Sequence, residues 1–124
     1  MEKIINVGGQ EVKMLATAST VMRYKLKFGR DLLKDFSQVN KAQTQKDNSE
    51  DFAMSGEDLE IFLYLSYTMA KQANPDISDN PWDWLDTFEV FPMDEVFPQV
   101  AMLWMQSQGV NVESKKKVEP PTEK

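Results

Sequence analysis

Ser55-Gly56-Glu57-Asp58-Leu59-Glu60-Ile61-Phe62-Leu63-Tyr64-Leu65-Ser66-Tyr67-Thr68-Met69-Ala70-Lys71-Gln72-Ala73-Asn74-Pro75 is the stretch that decides the fold. It opens on a capping box, with a hydroxyl at Ser55 and Asp58 three residues on as a weaker stand-in for Glu. The helix predicted from it runs from residue 57 to about 73. Asn74-Pro75 ends it, because a residue before proline is pushed out of the helical region. Leu59, Ile61, Phe62, Leu63, Tyr64, Leu65, Tyr67, Met69 and Ala70 surround this helix instead of forming one stripe. A helix apolar on all sides lies in the middle of its fold or against a partner. The flanking sequence must therefore supply layers that cover it.

Toward the N-terminus, residues 2–15 read as a hairpin. Lys3-Ile4-Ile5-Asn6-Val7 is β-rich, and alternation resumes over Gln10-Glu11-Val12-Lys13-Met14-Leu15. Gly8-Gly9 between them is a two-residue turn, since both central residues of a type I′ turn need positive φ. A lone hairpin is marginal, so this one must pack on helices. Ala16-Thr17-Ala18-Ser19 offers hydroxyl caps for a helix starting near Thr20, with Val21, Met22, Tyr24, Leu26 and Phe28 as its apolar members. Gly29 closes it and Asp31 caps a second helix over 32–39, where residues 32, 33, 36 and 39 share a face. Residues 40–51 are almost wholly polar; the helix can enter them, and their later part reads as an exposed loop.

Toward the C-terminus, Ser78-Asp79-Asn80-Pro81 starts a short helix with proline at its first position. Trp82, Trp84, Leu85 and Phe88 are its apolar members. A last helix is expected over residues 93 to about 107, with a break or kink at Pro98. Gly109 terminates it, and the charged segment 111–124 has nothing to bury and reads as disordered. The predicted class is mainly α (α+β): an N-terminal β-hairpin packed on four to five helices within residues 1–110, plus a tail.

The chain has 124 residues, enough for one core. It contains no Cys and no His. No disulfide, thiolate or imidazole metal site, cysteine nucleophile or Ser–His–Asp triad can be built from it. Asp76, Asp79, Asp83 and Asp86 recur every three or four residues, but they lack ligand-loop spacing and suit a helix start. No catalytic, cofactor or metal site is expected, and the chain reads as a non-enzyme. The N-terminus has no signal-peptide pattern and no run approaches the roughly 20 apolar residues of a membrane span. A cytoplasmic protein is expected.

Fourteen basic against 20 acidic residues give a net charge of −6. That disfavours nucleic-acid phosphates as a partner. The charge is uneven. Arg23, Lys25, Lys27, Arg30 and Lys34 cluster with only Asp31 among them, whereas residues 72–114 carry eight acids and no base. One face can thus be basic and another acidic, either as plain solvated surfaces or as a pairing surface between copies or with a partner. All three Trp fall in the acidic block, and the chain holds 8 Met and 7 Phe. Met and aromatics suit adaptable interfaces as well as cores. On the residues alone, the chain is an acidic helical module that works by contact.

Four segments carry a family resemblance. They are residues 3–10, Thr20-Val21-Met22-Arg23-Tyr24-Lys25-Leu26-Lys27-Phe28-Gly29-Arg30-Asp31-Leu32-Leu33, Tyr67-Thr68-Met69-Ala70-Lys71-Gln72-Ala73 and Trp84-Leu85-Asp86-Thr87-Phe88. Their order resembles the tail assembly chaperones of long-tailed bacteriophages and prophages of Gram-positive hosts. The resemblance spans residues 3 to about 107; the polar stretch 40–54 has no counterpart in it.

The resemblance implies a chaperone that binds the long, helical tape measure protein, keeps it soluble and helps recruit tail tube protein. It implies a homo-oligomer and a longer frameshifted form, with Lys115-Lys116-Lys117 marking a candidate slippery site. It also implies a host-cytoplasmic protein absent from the mature virion. Trp82, Trp84, Phe88, Phe91, Met102, Trp104 and Met105 are the expected protein-binding residues. Two other readings stay open: a structural virion or neck protein, and an acidic regulator that occupies a basic groove on a host partner.

Overall fold

The computed structural model describes residues 1–44 and 55–109. Much of the loop expected after the second helix, and the charged tail 111–124, lie outside them. Strands β1 (Glu2–Val7) and β2 (Gln10–Leu15) form an antiparallel hairpin, followed by helices α1 (Thr20–Phe28), α2 (Leu32–Thr44), α3 (Gly56–Ala73), α4 (Pro81–Leu85) and α5 (Met93–Ser107). This is the mainly helical class with an N-terminal hairpin that the sequence predicts.

The hairpin pairs Val7 with Gln10 and Ile5 with Val12. That register points Ile5, Val7, Val12 and Met14 inward and leaves Ile4 and Lys13 outside. Gly8 and Gly9 turn at φ of 57° and 91°, as a type I′ connection requires. Gly8 also sits so close to the 88–92 segment that a Cβ there would lie 2.9 Å from the Val90 carbonyl oxygen. The Gln99 side chain fastens β1 to α5, accepting from the Asn6 N–H and donating to the Asn6 carbonyl, both at 3.0 Å. These bonds use edge groups that would otherwise invite another strand.

α3 is the central helix. It packs against β2, α1, α2 and α4, which is why apolar residues surround it. Two of its polar residues, Ser66 and Thr68, are buried as well. Each hydroxyl donates back to the carbonyl four residues earlier, Phe62 and Tyr64 respectively, so neither is left unpaired in the core. Ser55 caps α3 by accepting from the Asp58 N–H. The Asp58 carboxylate, itself buried, accepts from Gln38 Nε2 of α2.

Asp31 caps α2 through the N–H groups of Leu33 and Lys34, and Gly29 ends α1 at φ 70°. No side chain caps α1. Thr20 donates to Gln72 Oε1 and Gln72 Nε2 donates to Thr17 Oγ1, tying the start of α1 to the end of α3. α5 contains Pro98 at its sixth position without interruption. Proline removes only the bond to the Asp94 carbonyl, and both residues are solvent-exposed, so water can take its place.

Candidate functional site

The tip of the fold between α3 and α4 carries an open groove of about 210 Å3. Its α3 wall is Gly56, Leu59, Glu60, Leu63 and Tyr64; its α4 wall is Pro81, Trp82 and Leu85. The α3 residues lie three and four apart and therefore share one side of the helix. Local sequence sets the α4 wall. Asn80 caps this helix by accepting from the Trp82 and Asp83 N–H groups, and Pro81 takes the first position. One turn of helix then sends Pro81 and Trp84 into the protein and leaves Trp82 64% exposed.

Glu60 is the charged residue among those that line the groove. The Glu60 carboxylate accepts from the Tyr64 hydroxyl at 2.9 Å. Burial, reinforced by that carboxylate, pushes the Tyr64 phenol above its ordinary value. Glu57 lies 3.6 Å from Arg30, and Asp86 is exposed one turn beyond Trp82. Arg30 partly offsets the acids on the α3 side, whereas the stretch 72–114, which includes α4, contains no basic residue.

The seven residues expected to bind protein separate into four groups. Trp84 and Trp104 are only 5% and 2% exposed and belong to the core. Phe88 and Phe91 are half-buried and pack edge-on to Trp84, at 5.0 and 6.4 Å between ring centroids. Met105 is half-buried and Met102 is exposed on α5, away from the groove lining. Trp82 alone of the seven lines the groove.

Leu59, Leu63 and Leu85 carry no signal as groove residues, because nothing in the sequence says which side of an all-apolar helix stays uncovered. The outer face of α1 is a further apolar surface. Thr20, Tyr24 and Phe28 face the core at four-residue spacing, with Phe28 stacked on Tyr64 at 3.9 Å. Leu26, two residues from each of the latter pair, must point the opposite way. It is 89% exposed, and Met22 one turn earlier is 67% exposed. A helical-wheel reading anchored on Tyr24 and Phe28 finds this pair.

A second groove, of about 120 Å3, lies between α1 and α3 and is lined by Arg23, Lys27, Tyr67 and Lys71 among others. Its cations are largely engaged. Lys71 donates to the Pro75 and Ile77 carbonyls and pairs with Asp79 at 3.0 Å. This hydrogen bond holds the Asp79 carboxyl below its usual range. Lys27 donates to the Asp79 carbonyl. Among the described residues, no group of three or more Asp or Glu is placed to hold a metal ion, and no helix is long and apolar enough to cross a membrane.

No protein-family model, curated protein or solved structure matches the chain.

Proposed function

We propose that this protein is a holdase that covers apolar helical segments of a partner. In the setting its sequence resembles, it is a phage tail assembly chaperone that keeps the tape measure protein soluble and yields it to tail tube subunits. The observation that carries this reading is the open apolar groove with Trp82 exposed at its edge, on a chain of net charge −6. An apolar helix laid along two turns of α3 would meet Leu59, Leu63, Trp82 and Leu85 together, the geometry of helix-in-groove recognition.

Magnitudes favour weak, repeated sites. A tryptophan buries up to about 250 Å2, so covering the 64% now exposed is worth roughly 4 kcal/mol at about 25 cal/mol per Å2. Ordering and lost translation consume much of that gain. One groove therefore binds weakly, while many copies along one long helical client hold it by avidity and still release it stepwise. The acidic surface keeps the unoccupied protein dispersed.

Co-expression with the tape measure protein of the same genome tests the reading. The client should move from the insoluble to the soluble fraction when this protein is present. A client equally insoluble with and without it would contradict the proposal. A structural virion protein would instead be retained in purified particles, where a chaperone should be absent.

A further inference from the structure

We infer that the free edge of β2 is a docking site for an extended, lysine- or arginine-bearing segment of a partner polypeptide, which adds there as a third strand. This edge shares no residue with the groove between α3 and α4, so it can be filled while a client helix is bound.

The direction of the hairpin's hydrogen bonds comes first. The main-chain N–H and carbonyl of Asn6 both turn to Gln99, away from β2. In an antiparallel pair, facing residues alternate between exchanging both hydrogen bonds and turning both sets of groups outward. Glu11 is the cross-strand partner of Asn6, and Lys13 that of Ile4. The main-chain groups of Glu11 and Lys13 therefore point out from the free edge of β2. Among the described residues no hydrogen bond reaches them. The two edges thus differ. Gln99 stops the edge of β1, whereas β2 keeps donors and acceptors ready for another strand.

Shape is the second observation. A groove of about 420 Å3, twice the volume of that between α3 and α4, lies along this edge. One wall is Gln10, Glu11, Val12 and Lys13. Side chains of consecutive strand residues alternate between faces, so these four share only the edge. The opposite wall belongs to the 74–88 segment, where Ile77 and Phe88 are half-buried and Trp84 is buried. Four residues of edge run about 13 Å at about 3.3 Å per residue, and neighbouring strands lie about 4.8 Å apart. A strand added at that spacing sets alternate side chains against Ile77, Trp84 and Phe88 and turns the others to solvent.

Charge selects the occupant. Glu11, Asp76 and Asp83 line the groove against Lys13 alone. All four are exposed, and among the described residues none is in an ion pair. The excess of acid attracts a basic segment and repels an acidic one. Two copies pairing edge to edge would bring these acids together, so a second copy is disfavoured. Main-chain bonds then supply affinity, and charge and the apolar wall supply choice.

The test uses the full chain and a short labelled peptide, fluorescein-Lys-Val-Thr-Val-Lys-Val-amide. Amide exchange should be fast at the Glu11 and Lys13 N–H groups of the free protein. It should slow at least about tenfold when the peptide is added, with no change at Val12, whose N–H the hairpin already holds. Methylating every peptide nitrogen keeps the charge and removes the strand donors; glutamate in place of lysine keeps the donors and reverses the charge. By fluorescence polarisation each analogue should bind at least about tenfold more weakly. Lys13→Pro should weaken binding of the parent peptide as much, since it deletes an outward N–H and spares the ladder. Glu11→Gln combined with Asp76→Asn, at exposed positions that leave the main chain intact, should weaken it at low salt and lose its effect at high salt. Unchanged exchange at Glu11 and Lys13 on adding the peptide, or equal binding of the methylated analogue, would overturn the inference. So would exchange already slow before any peptide is added: the edge would then belong to a second copy if dilution frees it, and to this chain's own tail if dilution does not.

Discussion

Tyr24 and Gly8 show how single residues set the terms of the fold. The Tyr24 hydroxyl is buried and donates to Asp35 Oδ2 at 2.9 Å, and Arg30 holds the same carboxylate through two N–H groups at 2.6 and 3.0 Å. Burial first, and then the neighbouring carboxylate, drive the Tyr24 phenol far above its ordinary value. Burial raises Tyr64 and Tyr67 as well. A raised folded-state value means that the native protein keeps protons the unfolded chain gives up. This contribution is fully present below the ordinary tyrosine range near 10 and is lost as pH rises through the folded values. In a spectrophotometric titration, the three tyrosines should therefore ionise late and together with unfolding, and free-tyrosine behaviour in the folded protein would count against the burial of Tyr24. Gly8 combines positive φ with its approach to Val90. Gly8→Ala should cost about 2 kcal/mol in urea unfolding, from left-handed strain plus the displaced 88–92 segment.

At the level of elements, Pro98 makes the sharpest test. It sits inside α5 and deprives the exposed Asp94 carbonyl of its helical partner. Pro98→Ala should raise stability by about 2 kcal/mol, the helix-interior penalty less the entropy proline removes from the unfolded chain. A lower melting temperature would mean that proline shapes α5 for packing. Most elements were legible because their signals are local: Gly8-Gly9 for the turn, Asp31, Ser55 and Asn80 for caps, Gly29 and Asn74 for stops. Of the break or kink expected at Pro98, the break does not occur, because Asp94, whose carbonyl loses its partner, is an exposed residue that water reaches. The candidate site was legible only at Trp82. Trp84 is two residues away with the same side chain, and one turn of helix buries it. Which residues of α3 remain uncovered depends on the length of α4, and the exposure of Leu26 depends on which residues of α1 meet α3. Those are tertiary facts that composition and spacing do not hold.

For the whole molecule, the same apolar residues serve two ends. Ile61, Phe62, Leu65 and Met69 of α3 are buried among the hairpin and neighbouring helices, while Leu59 and Leu63 of the same helix line an open groove. The central helix is thus both the core of the fold and the floor of its candidate docking surface. Glu60 stands among the groove residues, basic residues gather on α1, and the stretch 72–114 carries acids without a base, so the chain presents chemically distinct faces. The decisive measurement is the amount of soluble tape measure protein that co-purifies with the wild type and with Trp82→Asp, a position 64% exposed and so free to change without disturbing the core. The variant should lose at least about tenfold of its co-purified client, the equivalent of about 1.4 kcal/mol, at unchanged melting temperature. Equal recovery with both proteins would contradict it.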